Sequence, residues 1–369
     1  MKLVCKKSNL LNGVQIVSKA VPSKTTMPIL ECILIDASSN EIKLTANDMD
    51  LGIETIIEGD IIEKGIIAID AKILLEMVRG LPDNDVNIET DDKYNVFITC
   101  EKTNYNIVGK SGEDFSYIPV IERQDPVILS QFILKEMIRQ TIFSISDSDT
   151  NKLMTGELFE INEDELKIVS LDGHRISIRK NLMKNSYEHN KVIVPGKTLN
   201  EISKILTGES DKDVNIYFTD KHIIFEFDQT VVVSRLIEGE YFKINQMISS
   251  DYETKVRINK KELLSCINRA TFLVKEGDKK PVIIDIKDGI MELRINSTRG
   301  SMNEVIDIKK EGKDLMIGFN PKFLIDALKV IDDEEIEMYM VNPKAPCFIK
   351  DVNETYLYLI LPVNFNSVR

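Results

Sequence analysis

Asp172-Gly-His-Arg175 is the densest gathering of reactive side chains in the chain. With Ser170 or Ser177 close by, Asp172 and His174 supply the residue types of a hydrolase triad. A triad needs three groups converging on one point, whereas neighbours alternating along a strand point to opposite faces. The expectation is a turn at Asp172-Gly173 with a capped or stacked histidine; catalysis at Asp172 and His174 is the alternative. The other two histidines, His189 and His222, lie in polar surroundings, so a three-histidine metal site would need all of them. Gly196-Lys-Thr198 follows a strand-like run, as a phosphate-binding loop does. That motif needs a glycine five residues earlier, and position 191 is lysine. Gly109-Lys-Ser111 fails likewise, with Asn104 in the required place. These residues imply no metal and no cofactor.

A second set of chemical groups is periodic. Lys72, Lys197 and Lys322 are 125 residues apart, and the same shift relates Arg79, Lys204 and Lys329. Glu76, Glu201 and Asp326 obey it, as do Leu74, Leu199 and Leu324, and Leu81, Leu206 and Ile331. Apolar residues at 74, 77, 78 and 81 form the stripe of a half-buried helix. Asp70, Pro195 and Asn320 mark the starts, the last followed by Pro321, and Gly80 and Gly208 read as two of the ends. The lysine and the later base are about two turns apart and share one face. The acid between them leaves each helix mildly basic. For one such helix a salt-bridged solvent face suffices; the same arrangement three times in register calls for a three-fold explanation.

These helices need a scaffold that repeats with them. At 369 residues the chain suits two or three domains, and the repeat gives three: 1–124, 125–252 and 253–369. Each has an earlier helix too: Leu10–Ala20 despite Gly13, Ser130–Ile145 carrying Lys135 and Arg139, and Lys260–Leu273 carrying Arg269. Strand-like runs follow every helix. Each repeat is thus two similar halves, a helix then several strands. The fold class is α+β, two helices per domain on antiparallel sheets.

Composition narrows the setting. Hydrophobic residues make up 43%, normal for globular domains. No apolar run approaches the roughly 20 residues of a membrane span, and no signal-peptide pattern is visible. Five cysteines are scattered singly, which reads as reduced thiols in a cytoplasmic protein. The net charge of −13 argues, taken alone, against nucleic acid, whose binding is driven by phosphate neutralisation. Charge acts locally, however: screening sets in over about 8 Å, so a basic face can attract DNA while acidic surface elsewhere stays out of range.

Asp172-Gly-His-Arg175, together with Met27-Pro-Ile-Leu30, Arg79-Gly-Leu-Pro82, Gly318-Phe-Asn320 and Leu361-Pro362, resembles the bacterial replicative sliding clamp family, the beta subunits of DNA polymerase III. The likeness spans the whole length. It implies a processivity factor without enzymatic activity: a head-to-tail homodimer, helices inside and sheets outside, closing a ring around duplex DNA. The implied partners are the polymerase III catalytic subunit, an ATP-driven clamp loader and other proteins carrying clamp-binding motifs. Implied DNA contacts are Lys24, Lys72, Arg79, Lys135, Arg139, Lys152, Lys197, Lys204, Arg269, Lys322 and Lys329. The implied peptide pocket comprises Met154, Leu171, Gly173, His174, Arg175, Ile176, Phe242, Met247, Pro346, Leu359, Leu361, Pro362 and Val363, with His174 and Arg175 as polar groups at its rim. The implied dimer contact sets Tyr105 and Ile107 against Phe272 and Leu273; ordinary core packing is the competing reading of these four. A protein scaffold that holds partners without DNA is the other class to exclude.

Overall fold

The computed structural model describes residues 1–116, 118–119, 121–274, 280–351 and 353–365. Six α-helices occur among the described residues: α1 Lys7–Val17, α2 Ala71–Gly80, α3 Gln131–Arg139, α4 Gly196–Ile205, α5 Lys260–Thr271 and α6 Pro321–Val330. The second helices, α2, α4 and α6, have ten residues each and obey the 125-residue shift from first residue to last.

Side chains at the boundaries explain these helices. Asp70 accepts the Ile73 N–H at 2.9 Å, Asn259 that of Glu262 at 3.0 Å, and Asn320 that of Lys322 at 3.0 Å. Leu74, Leu199 and Leu324 are fully buried beneath them, as are Leu81, Leu206 and Ile331 just beyond. α1 tolerates Gly13 because it needs it: a Cβ there would lie 2.5 Å from Ile57 Cγ2 and 2.8 Å from Leu44 Cδ1.

Several expected boundaries move. A strand precedes every helix, including Lys2–Lys6, Val127–Ser130 and Thr254–Asn259 ahead of the first helices. α3 stops at Arg139 instead of running to Ile145. The Thr141 hydroxyl donates back to the Met137 carbonyl at 2.8 Å, and a 3-10 turn, Ile142–Ser144, follows. Gly80 is the last residue of α2 and has no left-handed conformation; Gly208 does, with φ of 78°. The polar residues 180–191 are part of one strand, Arg175–Pro195, paired with Gly156–Leu171 as a long hairpin. With much of its middle solvent-exposed, the hairpin carries little alternation there.

The chain forms two compact units, Met1–Lys135 with Lys197–Leu236, and Glu136–Gly196 with Ile237–Arg369. They cut across the middle repeat because sheets run from one repeat into the next. In the first unit, Leu51–Ile57 pairs antiparallel with Thr230–Arg235 inside a nine-stranded sheet. In the second, Arg175–Pro195 pairs with Tyr356–Ile360 inside a seven-stranded sheet. A five-stranded sheet completes the first unit, ending at edge strand Thr103–Val108. A four-stranded sheet completes the second, ending at edge strand Gly300–Asp307. The second unit's core packs Leu263 and Ile267 of α5 and Leu324 and Leu328 of α6 on Val282, Ile284 and Ile317. Each such side chain contributes about 1.5–3 kcal/mol by leaving water. All five cysteines are free and buried, and burial pushes the Cys5, Cys266 and Cys347 thiols up to about 12, so they stay protonated.

Candidate functional site

The repeated helices each present a lysine at their second residue and a base at their ninth. Lys72, Arg79, Lys197, Lys204, Lys322 and Lys329 are all exposed. Their charge is partly answered: Arg79 pairs with Glu76 at 3.0 Å, Lys204 with Glu201 at 2.8 Å, and Lys197 with Asp48. Lys72, Lys322 and Lys329 make no ion pair among the described residues. Lys24 is exposed between two 3-10 turns, and Lys152 is exposed at the start of the turn Lys152–Thr155. Arg269 is exposed on α5 and is held by Glu304.

Lys135 and Arg139 stand apart from this set. The Lys135 ammonium donates to the Leu206 carbonyl at 2.8 Å, satisfying the end of α4, and its stem is half-buried. Arg139 is half-buried between Glu136 at 2.6 Å and Asp332 at 3.0 Å. Both expected DNA contacts therefore spend part of their donor capacity within the protein, Lys135 on a helix terminus and Arg139 on two carboxylates.

Eleven of the thirteen expected pocket residues line one cavity of about 410 Å³: Met154, Leu171, Gly173, His174, Arg175, Ile176, Phe242, Met247, Pro346, Leu359 and Leu361. Leu171, Ile176 and Leu359 are buried as its floor; Met154, Phe242 and Leu361 are half-buried, and Met247 is 44% exposed. Leu and Met side chains make such a slot adaptable to apolar residues of different shape. Pro362 and Val363 do not line it. The Val363 N–H donates to the Gly318 carbonyl at 2.8 Å, and Phe365 packs on Gly318, so the chain turns onto strand Leu315–Phe319.

Arg175 is not a rim group. It is only 7% exposed, and its guanidinium donates to Asp172 at 3.0 Å, to Asp326 at 2.7 Å and to the Phe143 carbonyl at 2.5 Å. It also lies over the Phe323 ring, 4.6 Å from the centroid. Each of its three nitrogens donates inside the fold. His174 is exposed and stacks on Phe323 at 5.9 Å and 20°. Asp172 accepts the His174 and Arg175 N–H groups across a turn whose Gly173 has φ of 85°. No triad assembles: Asp172 serves Arg175, Ser170 donates to the Thr141 carbonyl, and Ser177 bonds Ser144. Gly196 likewise cradles no phosphate; a Cβ there would lie 2.3 Å from Ile145 Cδ1, and Thr198 bonds buried Ser234.

The family models for the DNA polymerase III beta subunit match along the chain: its N-terminal domain at residues 1–119, its central domain at 128–243 and its C-terminal domain at 245–364. The chain belongs to the DNA polymerase III beta subunit family. A beta subunit structure from Eubacterium rectale is 72% identical with a TM-score of 0.97, covering 99% of this chain and 100% of its own. The Bacillus subtilis sliding clamp is 34% identical with a TM-score of 0.95, covering 99% of both chains. The Staphylococcus epidermidis beta sliding clamp is 31% identical, covering 98% of this chain and 99% of its own. Family membership makes this three-domain α+β chain a sliding clamp, a non-catalytic processivity factor in DNA replication.

Within this clamp the four residues expected at a dimer contact occupy surface positions. Tyr105 and Ile107 are half-buried on edge strand Thr103–Val108. Phe272, just past α5, is 76% exposed, and Leu273 beside it is half-buried. Core packing does not describe Phe272. Sequence reading passed over Asp326 as a partner of Arg175, because 151 residues separate them. It also passed over Lys260, whose ammonium bonds the Ile331 carbonyl at the end of α6; the only signal was a basic residue opening a helix.

Proposed function

We propose that two copies of this chain close head to tail around duplex DNA, in the cytoplasm, with domains 1–124, 125–252 and 253–369 in each. The reading is carried by one observation: all six bases of the repeated helices are exposed at matching positions, each helix only mildly positive. Loose phosphate contacts from such side chains are non-specific and exchange continually, which suits a protein that slides. Closure, and not affinity, then retains the DNA. The DNA-facing set is Lys24, Lys72, Arg79, Lys152, Lys197, Lys204, Arg269, Lys322 and Lys329.

The edges of the sheets support the head-to-tail arrangement. Inside the chain, strand Leu51–Ile57 of repeat one pairs with Thr230–Arg235 of repeat two. The matching strand of repeat two pairs with Tyr356–Ile360 of repeat three. By the same rule Gly300–Asp307 of repeat three lacks a partner and Thr103–Val108 of repeat one lacks its own. Those are two open edges. Unpaired edges seek pairing, and a second copy supplies it, bringing Phe272 and Leu273 towards Tyr105 and Ile107. The apolar pocket would then dock short linear motifs of the polymerase III catalytic subunit, the clamp loader and other replication and repair proteins.

The deciding experiment loads labelled protein onto nicked circular DNA with a clamp loader and ATP, then linearises half the sample. Retention on circles with loss from linear DNA is the expected result. Equal retention on both would mean adhesion in place of encirclement, and no retention on either would favour a scaffold that holds proteins alone.

A further inference from the structure

Glu157, on strand Gly156–Leu171, is a fully buried acid to which the fold gives no partner. It is 0% exposed, and neither carboxylate oxygen has a hydrogen-bond partner among the described residues. The 125-residue shift puts Cys32 and Val282 at the same place in the other repeats, both buried. The position belongs to the core, and only the middle repeat fills it with a carboxyl. Val194 stands opposite on the paired strand. Thr141 lies beside it, but that hydroxyl donates to the Met137 carbonyl at 2.8 Å. Tyr241 is its titratable neighbour, and no lysine, arginine or histidine among the described residues answers its charge. An isolated buried carboxylate is costly, so the group keeps a proton instead; burial lifts it to about 8.

This acid sits behind the apolar pocket. Leu158, the next residue, points from the opposite face of the strand into the cluster that holds Leu171, Ile176 and Leu359, the pocket's floor. Met154, on the pocket wall, lies three residues earlier in the turn Lys152–Thr155, its carbonyl held by the Ser146 N–H at 2.8 Å. Tyr241 reaches the Val169 carbonyl at 3.4 Å and meets the Phe242 ring edge-on, 5.5 Å between centroids. Phe242 is the wall residue on that side. Floor and walls thus pack around the strand that carries Glu157. An ionised carboxylate there demands water, and a strand that admits water at its start cannot hold Met154 and Phe242 as they stand.

We propose that Glu157 is a proton-operated switch beneath the pocket: protonated, it keeps the Met154 and Phe242 walls packed for an apolar motif; ionised, it loosens them and releases the motif. The inference rests on the reading of that cavity as a docking site for short linear motifs. Linkage makes the coupling reciprocal, so a bound motif holds the proton on Glu157. The test titrates the parent, Glu157→Gln and Glu157→Val with a capped, rhodamine-labelled peptide of one glutamine followed by apolar residues. Affinity is read by fluorescence anisotropy from pH 7 to pH 9.5. Any other group that titrates over this range does so in all three proteins and drops out of the comparison. The parent's affinity should fall at least several-fold as pH rises, while both variants stay level. Parallel curves would overturn the switch and leave the pocket intact. The methyl resonance of Met154, followed by NMR without peptide, supplies a readout that needs no binding. It should move with pH through the same range in the parent and stay fixed in both variants; a resonance that behaves alike in all three would overturn the switch. Peptide that binds none of the proteins at any pH would overturn the docking reading, and with it the release of a motif, while the Met154 resonance still shows whether the wall responds to Glu157.

Discussion

Arg175 and His174 are neighbours with opposite duties. The guanidinium is buried between Asp172 and Asp326, and removing one member of a buried, hydrogen-bonded set leaves the others uncompensated. Arg175→Ala should therefore cost about 3–5 kcal/mol in chemical denaturation, whereas His174→Ala should cost under about 0.5 kcal/mol, as surface changes do. Equal losses would contradict the geometry. Glu157 poses a different residue-scale question. Both its carboxylate oxygens are buried without a hydrogen-bond partner among the described residues. Burial pushes its carboxyl from 4.5 to about 8. The folded state then keeps a proton that the unfolded chain has released. Its contribution to stability should fall as pH rises from 4.5 and level off above about 8. The slope is up to about 1.4 kcal/mol per pH unit. Thermal unfolding of Glu157→Gln between pH 5 and 9 should lack that slope, so the parent-minus-variant difference should fall as pH rises; parallel curves would refute the shift.

At the scale of the element, the helices depend on contacts that propensity scales do not contain. Gly13 weakens α1 as an isolated helix, yet it lets the helix approach Ile57 and Leu44. Gly13→Ala, stabilising in a free helix, should instead destabilise this protein by about 1–3 kcal/mol through overpacking, measured as a lower urea midpoint. A gain in stability would show that the neighbouring side chains yield. Lys135 and Lys260 illustrate the same dependence from the other side. Each closes the end of a second helix, α4 or α6, from a first helix. A basic residue on a first helix can therefore serve the fold and be lost to any ligand.

For the whole molecule, the proposed ring requires an interface built from open strand edges and exposed apolar groups. Phe272 is an aromatic side chain left 76% exposed on its side, and aromatic anchors commonly dominate such contacts. Phe272→Asp should leave folding unchanged and shift the native mass from two chains to one; an undiminished dimer would remove Phe272 from the interface. The net charge of −13 belongs to this scale as well. It disfavours unassisted association with DNA, while the short screening length lets a mildly positive surface act where the duplex passes.

The 125-residue period, the α+β class and the second helices were legible in the sequence because they rest on short-range periodicity, whereas the pocket's residues came only from the family resemblance. Lys72, Lys197 and Lys322 could be placed at one helical position before any coordinates. What tertiary structure alone decided is which polar groups are left over for function. Arg175 is consumed by Asp326 and Arg139 by Asp332, 151 and 193 residues away, and Pro362 and Val363 turn from the pocket towards Gly318. A side chain's type and spacing fix what it can bind. Whether a partner from a distant segment already occupies it depends on chain packing, which local sequence does not record.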